Sequence, residues 1–129
     1  MNDTYKKIQA TNDYYITTDG YVFKKTGDYT FKPIAITSMP SGYQQVFLRN
    51  KDGSWGNRLL HTLVANAFVP KGRGRRDLEI DHKNGDKSDN RVDNLQWVSH
   101  AKNMQLAWKN GAFKKVSKAI IRKRKSLNG

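Results

Sequence analysis

The stretch Glu79 to Gly111, E-I-D-H-K-N-G-D-K-S-D-N-R-V-D-N-L-Q-W-V-S-H-A-K-N-M-Q-L-A-W-K-N-G, decides how this chain is read. Glu79, Ile80, Asp81 and His82 suit a short strand, and Asn84-Gly85 is a turn signal. Leu95 to Val98 offers a second strand, with Leu95 and Trp97 on one side of the pleat. Ser99 is a suitable helix N-cap, the residues after it set Ala101, Met104 and Trp108 on one face, and Gly111 stops the helix. The expected unit is strand, loop, strand, helix.

A hairpin lying against a helix can bring Asp81 and Asn103, 22 positions apart, to one point. A carboxylate and a carboxamide are hard oxygen donors, suited to magnesium or manganese with the remaining positions left to water and phosphate. His82 follows Asp81, so its ring faces the other side of the strand unless the strand ends or twists there. Near a phosphate, a neutral imidazole can take a proton from water. The loop from Lys83 to Asn94 is polar and too long for a tight hairpin, and Asn94 at its end can bridge backbone groups and hold one loop shape.

The pattern D-H-x-x-G-x-x-x-D-N-R-x-x-N-L-x-W-V-S-x-x-x-N, from Asp81 to Asn103, resembles the HNH endonucleases, in particular their phage- and intron-associated homing branch. The resemblance implies that Asp81 binds the metal, that His82 is the general base, that Asn94 braces the loop and orients the base, and that Asn103 is the second metal ligand. Many members carry histidine at the last position. Asparagine there, common in the homing branch, argues against zinc and for one divalent cation, magnesium or manganese. The implied activity is hydrolysis of double-stranded DNA to 5′-phosphate and 3′-hydroxyl ends by a monomer or weak dimer, in a bacterial host's cytoplasm, from a phage or mobile-element gene. One such site cuts one strand, so nicking is expected and a double-strand break needs two sites.

Composition bounds the alternatives. The chain has 129 residues, enough for one domain or one core with a small appendage. A mean hydropathy of -0.83 fits a polar protein with a modest core, without an apolar run able to span a bilayer. Lys and Arg number 24 against 11 Asp and Glu, a formal net charge of +13 that attracts polyanions. Six of the 11 acids, Asp77, Glu79, Asp81, Asp86, Asp89 and Asp93, lie where a cation would sit, and none follows Asp93. The absence of cysteine excludes disulfides and thiolate zinc sites and suits a reducing cytoplasm, and the first residues carry no secretion signal.

Upstream of the motif, Tyr14 to Thr17 and Tyr21 to Phe23 flank Asp19-Gly20, a hairpin signature. Y-x-I-T-x-x-G-x-V, from Tyr14 to Val22, resembles the small DNA-contacting module that often precedes the nuclease unit in homing enzymes; a hairpin that only builds core reads equally well. Strands are expected at Tyr29 to Ile36, at Tyr43 to Leu48 and at Asn57 to Leu60, the last two joined by a turn at Asn50 to Ser54. Arg49, Lys51 and Arg58 form a basic edge. His61 to Phe68 reads as a helix with Leu60, Leu63, Val64, Ala67 and Phe68 on its apolar face, closed by Pro70. His61 is read as a structural hydrogen-bonding residue, since the hairpin already supplies acid and base.

Lys71 to Arg76 is a basic loop in which Arg73, Arg75 and Arg76 can clamp a phosphate, and Arg91 can contact a phosphate or brace its own loop. His100, one turn before Asn103, is either an exposed residue of the capping turn or a secondary metal or phosphate contact. Lys114 and Lys115 open a tail without acids that suits a basic amphipathic helix on DNA, and the chain ends too soon for a helix-turn-helix reader. The fold class expected is α+β: an N-terminal antiparallel β-sheet module contacting DNA over residues 1–58, a ββα nuclease core over 59–111 and a basic helical tail over 112–129. The rival function is a basic nucleic-acid-binding protein without chemistry, built on the same scaffold.

Overall fold

The residues flanking Asp19-Gly20 pair as expected. In the computed structural model, which describes residues 4–72 and 78–109, β2 (Tyr14–Thr17) runs antiparallel to β3 (Val22–Lys25), and Gly20 takes the positive φ of 85° that its turn requires. β1 (Tyr5–Lys7) and β4 (Phe31–Pro33) complete a sheet ordered β1-β2-β3-β4. Tyr14, Ile16 and Val22 point inward and are buried. The opposite face carries Tyr5, Tyr15, Phe23 and Phe31, whose rings touch in sequence at 5.2 to 5.9 Å between centroids.

The second sheet is ordered β5-β6-β7, from β5 (Thr37–Ser38), β6 (Gln44–Arg49) and β7 (Trp55–Leu59). Alternation along β6 buries Val46 and Leu48 and leaves Phe47 outside, stacked on Trp55. The single strand expected from Tyr29 to Ile36 is a shorter β4, beyond which Ile34 N still donates to Val22 O at 2.9 Å. β7 starts earlier than expected, at Trp55, because the turn closes by Asn50 N donating to Ser54 O and Gly53 N to Asn50 O. Arg58 is tied inward, its Nη2 donating to Asn50 Oδ1 at 2.5 Å, so it is no part of a free basic edge.

Helix α1 (Leu60–Phe68) follows β7 without a break and has no side-chain N-cap. A cap contributes about 1 kcal/mol, whereas burying Leu60, Leu63 and Val64 contributes about 1.5–3 kcal/mol each, so burial sets this helix in place. Lys6 Nζ donates to Ala67 O at 2.9 Å, tying β1 to the helix C-terminus, where a cation is favoured. One core joins Ile16 and Val22, Val46 and Leu48, the inner face of α1, and Leu95 from the last sheet, so it crosses residue 58. No helix among the described residues is long and apolar enough to cross a membrane.

The last unit is β8 (Leu78–His82), a loop ending in a 3-10 turn (Val92–Asn94), β9 (Leu95–Ser99) and α2 (His100–Lys109). β8 and β9 pair antiparallel, with Asp81 opposite Gln96 and His82 opposite Leu95. Ser99 caps α2 by accepting from Lys102 N at 3.1 Å. The stripe of Ala101, Met104 and Trp108 proves exposed; Asn103, Leu106 and Ala107 form the more buried side. Trp97 donates its Nε1–H to Val69 O at 2.8 Å, which fixes β9 against the end of α1. Gly111, the basic tail, and Arg73, Arg75, Arg76, Lys114 and Lys115 lie outside the described residues.

Candidate active site

The ββα unit brings Asp81, His82 and Asn103 to one open cleft of about 240 Å³, lined also by Tyr43, Ile80, Gly85, Lys87 and Ala107. Asp81 is held by its cross-strand neighbour: Gln96 Nε2 donates to Asp81 Oδ2 at 2.8 Å. Asn103 sits one turn into α2 and donates Nδ2–H to Glu79 Oε2 at 2.6 Å. Each of the two has one oxygen, Asp81 Oδ1 and Asn103 Oδ1, to which no hydrogen bond runs among the described residues. An acid and an amide oxygen are hard donors of the kind that suits a divalent cation such as magnesium or manganese.

Glu79 also accepts from His100, its Oε1 lying 2.7 Å from His100 Nδ1. The Asn103 amide first, and the His100 hydrogen bond next, hold the Glu79 carboxyl below its usual range. His100 is therefore an exposed partner of Glu79 rather than a cleft residue. The carboxylate of Glu79 sets the amide of Asn103, a role that nothing in the sequence assigned. Its signal was present: Glu79 and Asp81 share one face of a strand.

His82 ends β8 and is 6% exposed, yet it lines the cleft beside Asp81, because the strand stops there and alternation no longer separates the two side chains. Its Nε2 lies 2.8 Å from Asn90 Oδ1. The ring also packs edge-on to His61 at 5.2 Å and against Tyr43 at 6.1 Å. His61 does not make the hydrogen bond expected of it: its buried Nδ1 has no partner among the described residues, and it packs against Tyr43 at 4.9 Å. Burial, with a smaller push from His82, drives its pKa down to about 4, so at neutral pH it is an uncharged ring behind the site.

Asn94 ties the loop together through both ends of its amide. Its Nδ2 donates to Asn84 Oδ1 at 2.9 Å and to Asp89 O at 2.8 Å, while its Oδ1 accepts from Asn84 N at 3.0 Å. The backbone joins in, Lys83 N donating to Asn94 O at 2.7 Å directly after His82. Asn94 thus fixes the chain next to the imidazole, and the hydrogen bond on the ring itself comes from Asn90. Arg91 makes a two-pronged pair with Asp89, Nε to Oδ1 at 2.8 Å and Nη2 to Oδ2 at 2.9 Å, and Asn84 Nδ2 adds a third bond at 2.9 Å. The Arg91 guanidinium holds the Asp89 carboxyl far below the usual carboxylate range.

Residues 58–105 match the family model for HNH endonuclease. This match covers the ββα unit with α1, and the chain's α+β architecture is similar to that of a homing endonuclease. Over 80 residues, 62% of the chain, it is 38% identical to an uncharacterized HNH endonuclease of Acanthamoeba polyphaga mimivirus. It spans 20% of the length of that curated relative. Its fold is similar to that of the HNH homing endonuclease I-HmuI, solved in a study of DNA binding and cleavage, with a TM-score of 0.69 and 26% identity over 92% of this chain and 67% of the other.

Proposed function

We propose that the chain is a divalent-cation-dependent endonuclease that nicks double-stranded DNA and leaves 5′-phosphate and 3′-hydroxyl ends. The observation that carries this reading is the meeting of Asp81, His82 and Asn103 in one cleft, with the acid and the amide each held through one atom and open at another. Asp81 and Asn103 would hold one magnesium or manganese ion, which when bound supplies positive charge against the phosphate oxygens as negative charge develops on them. His82 takes the proton of the attacking water as the water oxygen bonds to phosphorus. The bond from phosphorus to the 3′ oxygen breaks, and that oxygen leaves with the electron pair and takes a proton from solvent. Lys87, anchored by its Nζ donating to Ser41 O at 3.0 Å, adds fixed positive charge at the cleft.

Residues 1–58 contribute duplex contacts, supported by the outward aromatic face of the first sheet, where Lys7 and Lys25 lie cross-strand from Tyr15 and Phe31. Arg73, Arg75, Arg76, Lys114 and Lys115 extend the positive charge along the backbone of the DNA. Arg91 commits Nε and Nη2 to Asp89, so its main work is bracing the loop, and its remaining N–H groups face outward for a phosphate. The test is supercoiled plasmid incubated with magnesium, with EDTA and with His82→Ala. Magnesium-dependent open circles that fail to form with EDTA or the variant support the reading; cleavage by the variant at an undiminished rate refutes the assigned base.

A further inference from the structure

Asn90 was not singled out by its chemistry in the sequence, yet it is 3% exposed and sits between two polar side chains from different sheets. Its Oδ1 faces His82 Nε2 at 2.8 Å, and its Nδ2 donates to Gln44 Oε1 at 3.0 Å. The two amides therefore run in one direction. An amide oxygen can only accept, so the ring nitrogen opposite it must carry the proton, and Nδ1 is left with its lone pair. A neutral imidazole works as a base only through its unprotonated nitrogen.

We propose that Asn90, set by Gln44, is a positioning residue that fixes the proton of His82 on Nε2 and reserves Nδ1 as the basic atom. The proposal rests on the reading of His82 as general base. Both grips on Asn90 come from the N-terminal half. Gln44 opens β6. On the backbone side, Gly20 packs so closely that a Cβ there would lie 2.9 Å from Asn90 O, and Val92 N donates to Thr18 O at 2.8 Å. The hairpin turn of the first sheet thus holds the backbone from the Asn90 carbonyl to Val92 while the second sheet aims the side chain. The N-terminal sheets act on the chemistry as well as on the DNA.

Gln44 gives a test in which two substitutions of similar length make opposite demands. Glutamate can only accept, so Gln44→Glu keeps Asn90 Nδ2 turned toward position 44 and Oδ1 toward His82. Lysine can only donate, so Gln44→Lys draws Asn90 Oδ1 to itself, presents Nδ2 to the ring and moves the ring proton to Nδ1. Long-range ¹H–¹⁵N correlation spectra of the neutral ring report which nitrogen is protonated, independently of cleavage. The expected result is Nε2–H in wild type and Gln44→Glu, and Nδ1–H or a mixture in Gln44→Lys and Asn90→Ala. In the plasmid assay, Gln44→Glu keeps close to the wild-type kcat, while Gln44→Lys and Asn90→Ala lose about 10- to 100-fold in kcat at unchanged KM.

If Asn90→Ala does not fold, the Gln44 pair decides alone. A wild-type ring protonated on Nδ1, or equal kcat losses in Gln44→Glu and Gln44→Lys, overturns the proposal. Should His82→Ala cleave as fast as wild type, the base assignment falls instead, and the spectra still decide where Asn90 holds the proton.

Discussion

Asn103 on α2 and Glu79 on β8 are joined by a 2.6 Å hydrogen bond from the amide Nδ2 to Oε2, and among the described residues no hydrogen bond runs to the amide oxygen of Asn103. An outer partner that orients a ligand is commonly worth about 10- to 100-fold in metal affinity. Glu79→Ala should therefore weaken manganese binding by about that factor and leave thermal melting nearly unchanged, because the carboxylate lies at the surface. Glu79→Gln keeps an acceptor for Asn103 and should recover most of the affinity. With its folded pKa lowered, Glu79 stays ionised as pH falls through the ordinary carboxylate range, so the anchor is lost only in stronger acid. Calorimetric titration across pH checks both.

The brace at Asn94 needs donors as well as an acceptor. Asn94→Ala removes three bonds and leaves Asn84 and Asp89 groups unpaired in the loop, a loss of about 2 kcal/mol by denaturant unfolding. Asn94→Asp should be no milder. Its second oxygen would face Asn84 Oδ1 and Asp89 O, two acceptors, where the amide donated. If the aspartate restored wild-type stability, bracing through Nδ2 would be wrong.

His61 gives the fold a pH dependence with a definite sign. Burial holds its folded pKa near 4, against 6.5 for an exposed ring, so between those values the unfolded chain binds a proton that the folded chain does not. Stability should rise with pH across that window and fall toward its acid end, by roughly 3 kcal/mol at most. The ring faces Tyr43 and His82, so His61→Phe keeps the packing and should flatten the melting curve plotted against pH. An equally steep curve in the variant would assign the dependence to another group.

Gly20 combines a φ of 85° with a close approach to Asn90. Gly20→Ala should cost about 1–3 kcal/mol through backbone strain and contact. It should also slow cleavage, since the displaced backbone carries the amide that faces His82. Stability and kcat measured on the same variant check this, and a destabilised variant with wild-type kcat would separate the turn from the site.

The hairpin and α2 could be read from the chain because their signals are local: a turn glycine, two short apolar runs and Ser99 as cap. Asp81 and Asn103 line one cleft for the same reason, since strand, strand and helix in that order leave little choice of where a residue one turn into the helix falls. The pairing of Asn90 with Gln44 could not be read, because two uncharged amides 46 positions apart leave no periodic or charge pattern. Which face α2 buries could not be read for a related reason: a helical stripe shows that residues share a face, and the core in front of α2 decides which face is used. His61 was expected to find a polar partner, and aromatic packing took its place.

Two side chains from different elements sharing one cation is the arrangement on which the proposed chemistry depends. Manganese titration followed by electron paramagnetic resonance on wild type, Asp81→Ala and Asn103→Ala measures it directly. One site should appear in wild type and be severely weakened in both variants, with the folds retained. A manganese site of unchanged affinity in either variant would contradict the shared centre.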